Sequence, residues 1–284
     1  MQELRGAFFM HISDLTTGQP SAASPPTPKA GRLKLPRLRW IIPALGLLGL
    51  LLIWEGVARL EVYPAFILPA PGEVVSRFGD VVANGTLWPH IMTTLSQMLI
   101  GLVIGAPLGV LVGVLMAKSH ALDSILSPIV LAAQSTPVVA YAPLLIIWFG
   151  SGVTSKIVIT ALIVFFPMLV NAMAGIRAVP QSRRDLMHLF NATPWQTFWK
   201  LEFPASLPVL FAGLRVSVTL AVIGSVIGEF ISASSGLGYL IKVARDRYDT
   251  PLVLVSVITL AILARLAYWL VSVVERRVVY WRRP

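Results

Sequence analysis

Apolar segments long enough to cross a lipid bilayer follow one another along most of this chain of 284 residues. A helix needs about 20 apolar residues to cross a hydrocarbon core of about 30 Å. Because 56% of the residues are hydrophobic and only 13% are charged, a soluble fold is strongly disfavoured. The sequence therefore predicts an all-α integral membrane protein with six transmembrane helices, near residues 40–59, 88–116, 124–149, 155–177, 206–231 and 251–275.

The first 39 residues have a different composition. A stretch rich in Ser, Pro and Ala is followed by five Lys and Arg side chains between Lys29 and Arg39. This composition predicts a disordered basic tail over residues 1–39, with the transmembrane domain over 40–284. A signal peptide is the alternative, but no small-residue cleavage site ends the first apolar run, which is therefore predicted to be retained. Residues 73–84 are predicted to form a short helix at the membrane interface, because they are too polar to span.

Basic residues indicate how the spans are oriented, since Lys and Arg favour the cytoplasmic side of bacterial membranes. With six spans, the N-terminal block, Lys118, the loop from Arg177 to Lys200 and the C-terminal arginines fall on one side. The loop from Lys242 to Arg247 is the exception. Both termini are therefore predicted to be cytoplasmic. The net charge of +10 is explained by these blocks, so nucleic-acid binding receives little weight.

One cytoplasmic segment, residues 185–204, is too long and too regularly patterned for a turn. Its apolar residues recur at helical spacing, which predicts two short amphipathic helices outside the bilayer. An apolar face outside the membrane needs a covering partner. The segment is therefore predicted to dock a soluble protein.

Residues that could carry catalysis are scarce. There is no phosphate loop, and the glycine-containing run from Gly150 to Lys156 has the wrong spacing for one. The four histidines have no metal-ligand spacing, and no nucleophile with a base can be argued. Glu229 and Arg265 are the candidates for buried ionisable residues, and an ion pair between them is the simplest interpretation. The chain is accordingly predicted not to be an enzyme and to bind no metal or cofactor.

Glycines recur every fourth residue in the second span, at Gly101, Gly105, Gly109 and Gly113. This spacing places them on one stripe of a helix, where a neighbouring backbone can approach closely. Tight packing within the chain is the favoured interpretation. A face that slides during a conformational cycle is the alternative.

Polar and small residues inside the spans are the candidates for a solute path. They can either bond across helices or line the path, with an aromatic residue as a contact for a planar solute. The candidates are Gln134, Ser135, Thr136, Tyr141, Asn171, Gly224, Ser225, Gly228 and Glu229.

The segment 185–204 resembles the signature loop of permease subunits in type I ATP-binding-cassette importers, in the nitrate/taurine/bicarbonate branch. Asp185-Leu-Met stands where that motif begins, Asn191 stands for its glycine and Leu201-Glu-Phe-Pro204 closes it. Asn in place of Gly is physically reasonable, because Asn also tolerates a left-handed turn. The resemblance covers about residues 64–282 and implies a coupling loop over residues 180–205. The matching coupling residues are Asp185, Leu186, Met187, Phe190, Asn191, Ala192, Trp195, Phe198, Trp199 and Pro204.

This resemblance implies an importer in the bacterial inner membrane with several subunits. A second permease chain, identical or a close paralogue, is expected, together with two cytoplasmic ATPases that bind ATP and Mg, and a periplasmic or lipid-anchored solute-binding protein. The fifth span, with Leu210-Phe-Ala-Gly-Leu-Arg215, looks similar to the subgroup that imports riboflavin or thiamine-precursor pyrimidines. Import of sulfonate, nitrate or bicarbonate by the same importer type is an alternative. An ion-coupled secondary transporter, with Glu229 as the coupling residue, is an alternative of another class.

Overall fold

The computed structural model describes residues 38–60, 63–64 and 66–282, with only the backbone of residues 38–44 and of Arg282. The described residues contain helices and no strands, which confirms the all-α fold. A short 3₁₀ turn, Tyr280–Arg282, follows the last helix. The helices are α1 (Leu38–Arg59), α2 (Pro71–Ala83), α3 (Leu87–Lys118), α4 (His120–Ser135), α5 (Val138–Phe149), α6 (Val153–Arg177), α7 (Gln181–Leu189), α8 (Pro194–Thr197), α9 (Phe203–Ser232), α10 (Leu237–Asp246) and α11 (Thr250–Val278).

Within the part of the chain that the structure describes, four helices are long and apolar enough to cross a membrane, namely α3, α6, α11 and the helix that contains α9. The pair α4–α5 provides a fifth crossing if its two halves form one span. The predicted first span, 40–59, falls on α1. The predicted tail over residues 1–39 lies outside the described residues, apart from its last two. The described residues from Leu50 onwards form one compact unit, and all the sites below lie within it.

The third predicted span, 124–149, is not one straight helix. Its halves, α4 and α5, meet at an angle of 100° around Thr136 and Pro137. Proline has no N–H to continue the helix and drives the preceding residue towards extended backbone, and Thr136 is indeed extended. The hydroxyls of Ser135 and Thr136 bond to carbonyls one turn back, at 2.8 and 3.1 Å. The prediction of a continuous span was therefore wrong, because Pro137 breaks it.

The fifth predicted span, 206–231, is longer than expected. From Pro194 to Ser232 the chain is one helical rod of 39 residues, and the second amphipathic helix of the 185–204 segment is its beginning. A π-helical turn at Phe198–Glu202 joins α8 to α9, and the Phe203 N–H donates to the Phe198 carbonyl. Such a wider turn can accommodate Pro204, which has no N–H of its own. The prediction that this helix is separate from the span was wrong.

The centre of the fold is α6, where Ile159, Val164, Leu169 and Ala172 are completely buried. The glycine stripe of α3 lies directly against it. A Cβ atom on Gly105 would overlap the carbonyl of Ala161, and Gly109 and Gly113 meet α6 backbone one and two turns further on. Tight packing within the chain, the favoured interpretation of the stripe, is confirmed.

A second helix, α9, presses on α6 with its own small residues. Gly213 contacts Asn171, Gly224 contacts Thr160 and Gly228 contacts Lys156. Both α3 and α9 therefore meet α6 at backbone distance.

The predicted interfacial helix is α2, which buries Val74 and Val81. Its Arg77 forms an ion pair with Asp249 at 2.5 Å. Through this pair, α2 is connected to the start of α11.

Replacing Gly105 with Ala is expected to force α3 away from α6, because the new Cβ meets a backbone carbonyl that cannot rotate aside. Overpacking of this kind costs about 1–3 kcal/mol. The measurement is the thermal unfolding midpoint of the purified protein in detergent. Gly79→Ala in α2 is the matched control, since nothing lies within 4 Å of its added Cβ. Equal midpoints for the two variants would contradict the packing role of the stripe.

Candidate functional site

The segment predicted to dock a partner presents a group of apolar side chains at the surface. Leu189 is 79% exposed, Phe190 74% and Trp195 68%. We call the group the apolar platform, and its members are Leu186, Leu189, Phe190, Trp195 and Trp199. All five lie on α7, on the turn after it, or at the beginning of the long rod that contains α9.

The turn between α7 and α8 has the geometry that the sequence predicts. Asn191 adopts a left-handed conformation with φ of 53°, which confirms the predicted left-handed turn at this position. The Ala192 N–H donates to the Met187 carbonyl at 3.0 Å. On the far side of the turn, Thr193 and Gln196 cap α8 with reciprocal bonds. The turn is therefore held at both of its ends.

Not all the predicted coupling residues point outwards. Phe198 is only partly exposed, and the Lys118 ammonium group lies 4.8 Å from the centre of its ring. Trp199 packs against Phe203 with ring centres 5.1 Å apart. Phe198 therefore supports the platform from below. Of the remaining predicted residues, Asp185 is exposed, whereas Met187, Ala192 and Pro204 are partly buried.

An ion cluster beneath the platform joins it to the transmembrane helices, and sequence reasoning missed it. Glu202 is nearly buried, and its carboxylate lies 2.7 Å from the Lys118 ammonium and 3.4 Å from the Arg184 guanidinium. Arg184 also donates to the Ile176 carbonyl at 2.7 Å. The Glu202 carboxylate thus connects the end of α3 to both arms of the loop, and Arg184 extends this connection to the end of α6. The sequence signal that could have revealed the cluster was Glu202 inside the closing motif, together with the basic residues Lys118 and Arg184.

The predicted path residues fall into two groups. Gln134, Ser135 and Thr136 are exposed at the bend between α4 and α5, and Tyr141 is half-buried on α5. Asn171 donates to the Pro167 carbonyl at 2.8 Å and is covered by Gly213.

The other group lies inside the packed chain. Gly224 and Gly228 touch α6, and the completely buried Ser225 donates to the Val222 carbonyl at 2.9 Å. Within this chain, the exposed candidates are therefore those at the bend.

Glu229 is also completely buried, and the expected ion pair with Arg265 is wrong. One Glu229 oxygen accepts from the Thr94 hydroxyl at 2.8 Å, and the other accepts from the Gly238 N–H at 2.7 Å. The Arg265 guanidinium lies over the Tyr268 ring at 5.8 Å. Glu229 and Arg265 do not pair because the fold brings the Glu229 carboxylate to the start of α10 instead.

Three consecutive N–H groups at the start of α10 each have a side-chain acceptor. The Gly236 N–H donates to His90 Nδ1 at 3.0 Å and the Leu237 N–H donates to the Thr94 hydroxyl at 2.8 Å. The third, at Gly238, is the one bound by Glu229. Gly236 has φ of 115°, and a Cβ there would overlap the Glu229 carboxyl group. Glu229 therefore holds α10 against α3 and α9.

Comparison with known proteins agrees with this architecture. The family model for the inner membrane component of binding-protein-dependent transport systems matches residues 105–280. The chain belongs to this family. The riboflavin transport permease RibX of Chloroflexus aurantiacus is 45% identical over 251 residues, covering 87% of this chain and 93% of the relative. The formylaminopyrimidine transport permease ThiX of Halalkalibacterium halodurans is 34% identical, covering 85% and 96%.

The fold also matches a solved structure. The inward-facing MetNI methionine ABC transporter superposes with a TM-score of 0.56 at 23% identity, covering 68% of this chain and 94% of that one. This likeness supports the all-α fold. The family match and the two relatives show that the protein is a permease of an ABC importer. Its place in the nitrate/taurine/bicarbonate branch, near the riboflavin and pyrimidine subgroup, is confirmed by these relatives.

Glu202→Gln is expected to loosen the loop, because Lys118 and Arg184 lose the charge that they share. The effect should be about 1 kcal/mol of local stability, since the attraction within two partly exposed ion pairs is lost. Hydrogen–deuterium exchange of peptides within 181–202 measures it. Asp185→Asn is the control. Asp185 is exposed, and among the described residues its carboxylate accepts a hydrogen bond from Gln181 alone, one turn earlier in α7. Unchanged exchange in Glu202→Gln would argue against the cluster.

Proposed function

We propose that this permease pairs with a second permease subunit to form the membrane path of an ATP-driven importer for a vitamin-related planar heterocycle, such as riboflavin or a thiamine-precursor pyrimidine. The observation that carries the proposal is the exposed apolar platform, built on a helical rod that continues into the membrane. A surface of this kind outside the bilayer requires a partner. A rod that reaches from the platform through the span can transmit the partner's motion.

The proposed partners of the platform are two cytoplasmic ATPases, which would hold the ATP and Mg. The permease itself is proposed to be non-catalytic and to bind no cofactor. Closure of the ATPase pair would move the platform, and the rod would then shift the outer half of α9 as a rigid body. Both chain termini are proposed to lie on the same cytoplasmic side as the platform. The ion cluster at Glu202 would transmit the same motion to α3 and α6.

A solute-binding protein, periplasmic or lipid-anchored, is the proposed partner at the opposite end. A polar hollow of about 420 Å³ lies there between α2 and the start of α11. Charged side chains around it favour a soluble protein over lipid. Its lining residues are Gly72, Glu73, Ser76, Arg77, Asp80 and Pro251.

The solute proposal rests on the relatives and on the exposed bend. Gln134, Ser135 and Thr136 would offer hydrogen bonds, and Tyr141 would offer an aromatic face to a planar ring. The buried residues Gly224, Ser225, Gly228 and Glu229 would support the path by packing behind it. Relatives named for taurine and aliphatic sulfonates, 31–32% identical, favour a sulfonate as the second candidate.

Uptake into proteoliposomes tests the proposal. The permease is reconstituted with its ATPase and binding protein, and uptake of riboflavin is compared with uptake of taurine. We expect ATP-dependent riboflavin uptake. If taurine is taken up and riboflavin is not, a sulfonate would replace the heterocycle as the proposed solute. Uptake driven by an ion gradient, with no ATPase present, would overturn the importer mechanism for this chain in favour of a secondary transporter.

Trp195→Glu is expected to abolish co-purification of the ATPase, because a charge is introduced into the centre of the apolar platform. Folding should survive, since Trp195 is mostly exposed. The measurements are the ATPase retained on the tagged permease and the elution profile of the permease alone. Trp281→Glu is the matched control, because Trp281 is 49% exposed and lies outside the platform. Retention of the ATPase by Trp195→Glu at the wild-type level would count against the docking proposal.

A further inference from the structure

The start of α10 is held by side chains of which two can be titrated. We call the three N–H groups and their three acceptors the α10 latch. It consists of the N–H groups of Gly236, Leu237 and Gly238 with the acceptors His90, Thr94 and Glu229. His90 lies about 40 Å along α3 from Lys118, so the latch is at the end of the bundle opposite the platform.

The imidazole ring of His90 is aimed at Gly236 by its neighbours. Its Nδ1 atom lies 3.0 Å from the Gly236 nitrogen. The ring stacks on that of Tyr239, with centres 6.0 Å apart and planes inclined by 24°. The same two segments are also joined by a hydrogen bond of 3.3 Å from the Thr93 hydroxyl to the Ser235 hydroxyl. These contacts leave the ring little freedom to turn away from Gly236.

The bond between Gly236 and His90 requires one protonation state of the imidazole. A backbone N–H can only donate, so Nδ1 accepts and carries no proton. An imidazolium ion carries a proton on both nitrogens and offers no acceptor, whichever way the ring is turned. Gly236 is buried, and a buried N–H that loses its acceptor destabilises the structure. Protonation of His90 and attachment of the Gly236 N–H therefore oppose each other.

Glu229 is the other titratable member of the latch, and it differs from His90. Each carboxylate oxygen has more than one acceptor position, so one added proton does not remove every acceptor, whereas Nδ1 has a single lone pair. Lys156 of α6, whose stem contacts Gly228, donates to the Gly152 carbonyl at 2.8 Å. None of the ion pairs among the described residues includes His90. Histidine is also the side chain whose ordinary pKa lies closest to neutral pH.

We propose that the α10 latch is a pH-sensitive switch, in which protonation of His90 releases the Gly236 N–H and weakens the attachment of α10 to α3. The latch is closed at neutral pH and loosens as the pH falls, because the proton and the Gly236 N–H compete for the same lone pair. The far end of α10 leads to Asp249, which caps α11 and is bound to Arg77 of α2. Arg77 lines the polar hollow, so the switch acts on an element next to that surface.

Hydrogen–deuterium exchange of a peptide that covers residues 233–240 tests the switch, with the full chain reconstituted in lipid nanodiscs. Exchange is measured at about pH 5.5 and about pH 7.5, on either side of the ordinary pKa of histidine, and corrected for the intrinsic rate at each pH. His90→Asn is the informative variant, because Asn Oδ1 is an acceptor near the position of Nδ1 and does not titrate. His120→Asn is the matched control, since His120 is exposed and follows the other end of α3.

We expect protection of the peptide to fall about fivefold at the lower pH in the wild type and in His120→Asn, the factor that corresponds to one hydrogen bond. Protection in His90→Asn should be the same at both pH values. Constant protection in the wild type would overturn the switch. A fall of equal size in His90→Asn would assign the response to Glu229 and overturn the role of His90.

Two features of the design keep the result decisive. His90→Gln is a second variant without a titratable group, for use if His90→Asn elutes as an aggregate, and a pH response that persists in it would also overturn the switch. The exchange measurement needs no ATPase, binding protein or solute. Its outcome is therefore separate from success or failure of the importer proposal.

Discussion

Close contact between helix backbones is the constraint on which the rest of this structure depends. In a bilayer the lipid is as apolar as the side chains, so helices gain little by burying apolar surface against one another. Here α3 and α9 instead approach α6 through glycine, with Gly105 meeting the Ala161 carbonyl and Gly224 meeting the Thr160 backbone. Three helices held at backbone distance have little freedom in how they pack. The bend at Pro137 and the loop that carries the platform are positioned by that packing.

The close packing of α3, α6 and α9 determines how motion of the loop that carries the platform would be transmitted. A platform joined to the membrane by a flexible linker could bind a partner without transmitting its motion. In this chain the rod continues from Pro194 to Ser232 through a π-helical turn, and Glu202 ties that turn to Lys118 and Arg184. The platform, the rod and the ends of α3 and α6 are therefore joined at one place. In the proposed importer, force applied at the platform would reach the packed core instead of being absorbed in the loop.

The sequence predicted those features that depend on local patterns. Apolar length placed four of the six predicted spans on long apolar helices, four-residue spacing placed the glycine stripe against a neighbour, and Asn191 took the left-handed turn. The features that were missed depend on pairing across the fold. Glu202 looked like an ordinary acidic residue until Lys118 and Arg184 were brought to it from 84 and 18 residues away. The break at Pro137 and the continuity through Pro204 show the same limit, since one proline ended a helix and the other was accommodated by a wider turn.

Glu229 and Arg265 illustrate how differently two charges inside the predicted spans can be surrounded. Sequence patterns alone could not distinguish them, and an ion pair between the two was the simplest hypothesis. The structure gives each Glu229 oxygen one hydrogen-bond partner, Thr94 for one and Gly238 for the other. An incoming cation would therefore have to compete with the bonds that hold the start of α10. Arg265 is the opposite case, because its guanidinium lies over the Tyr268 ring and takes part in none of the ion pairs among the described residues. A buried carboxylate that holds the start of a helix is part of the fold, so a position inside a span does not by itself make Glu229 a coupling residue.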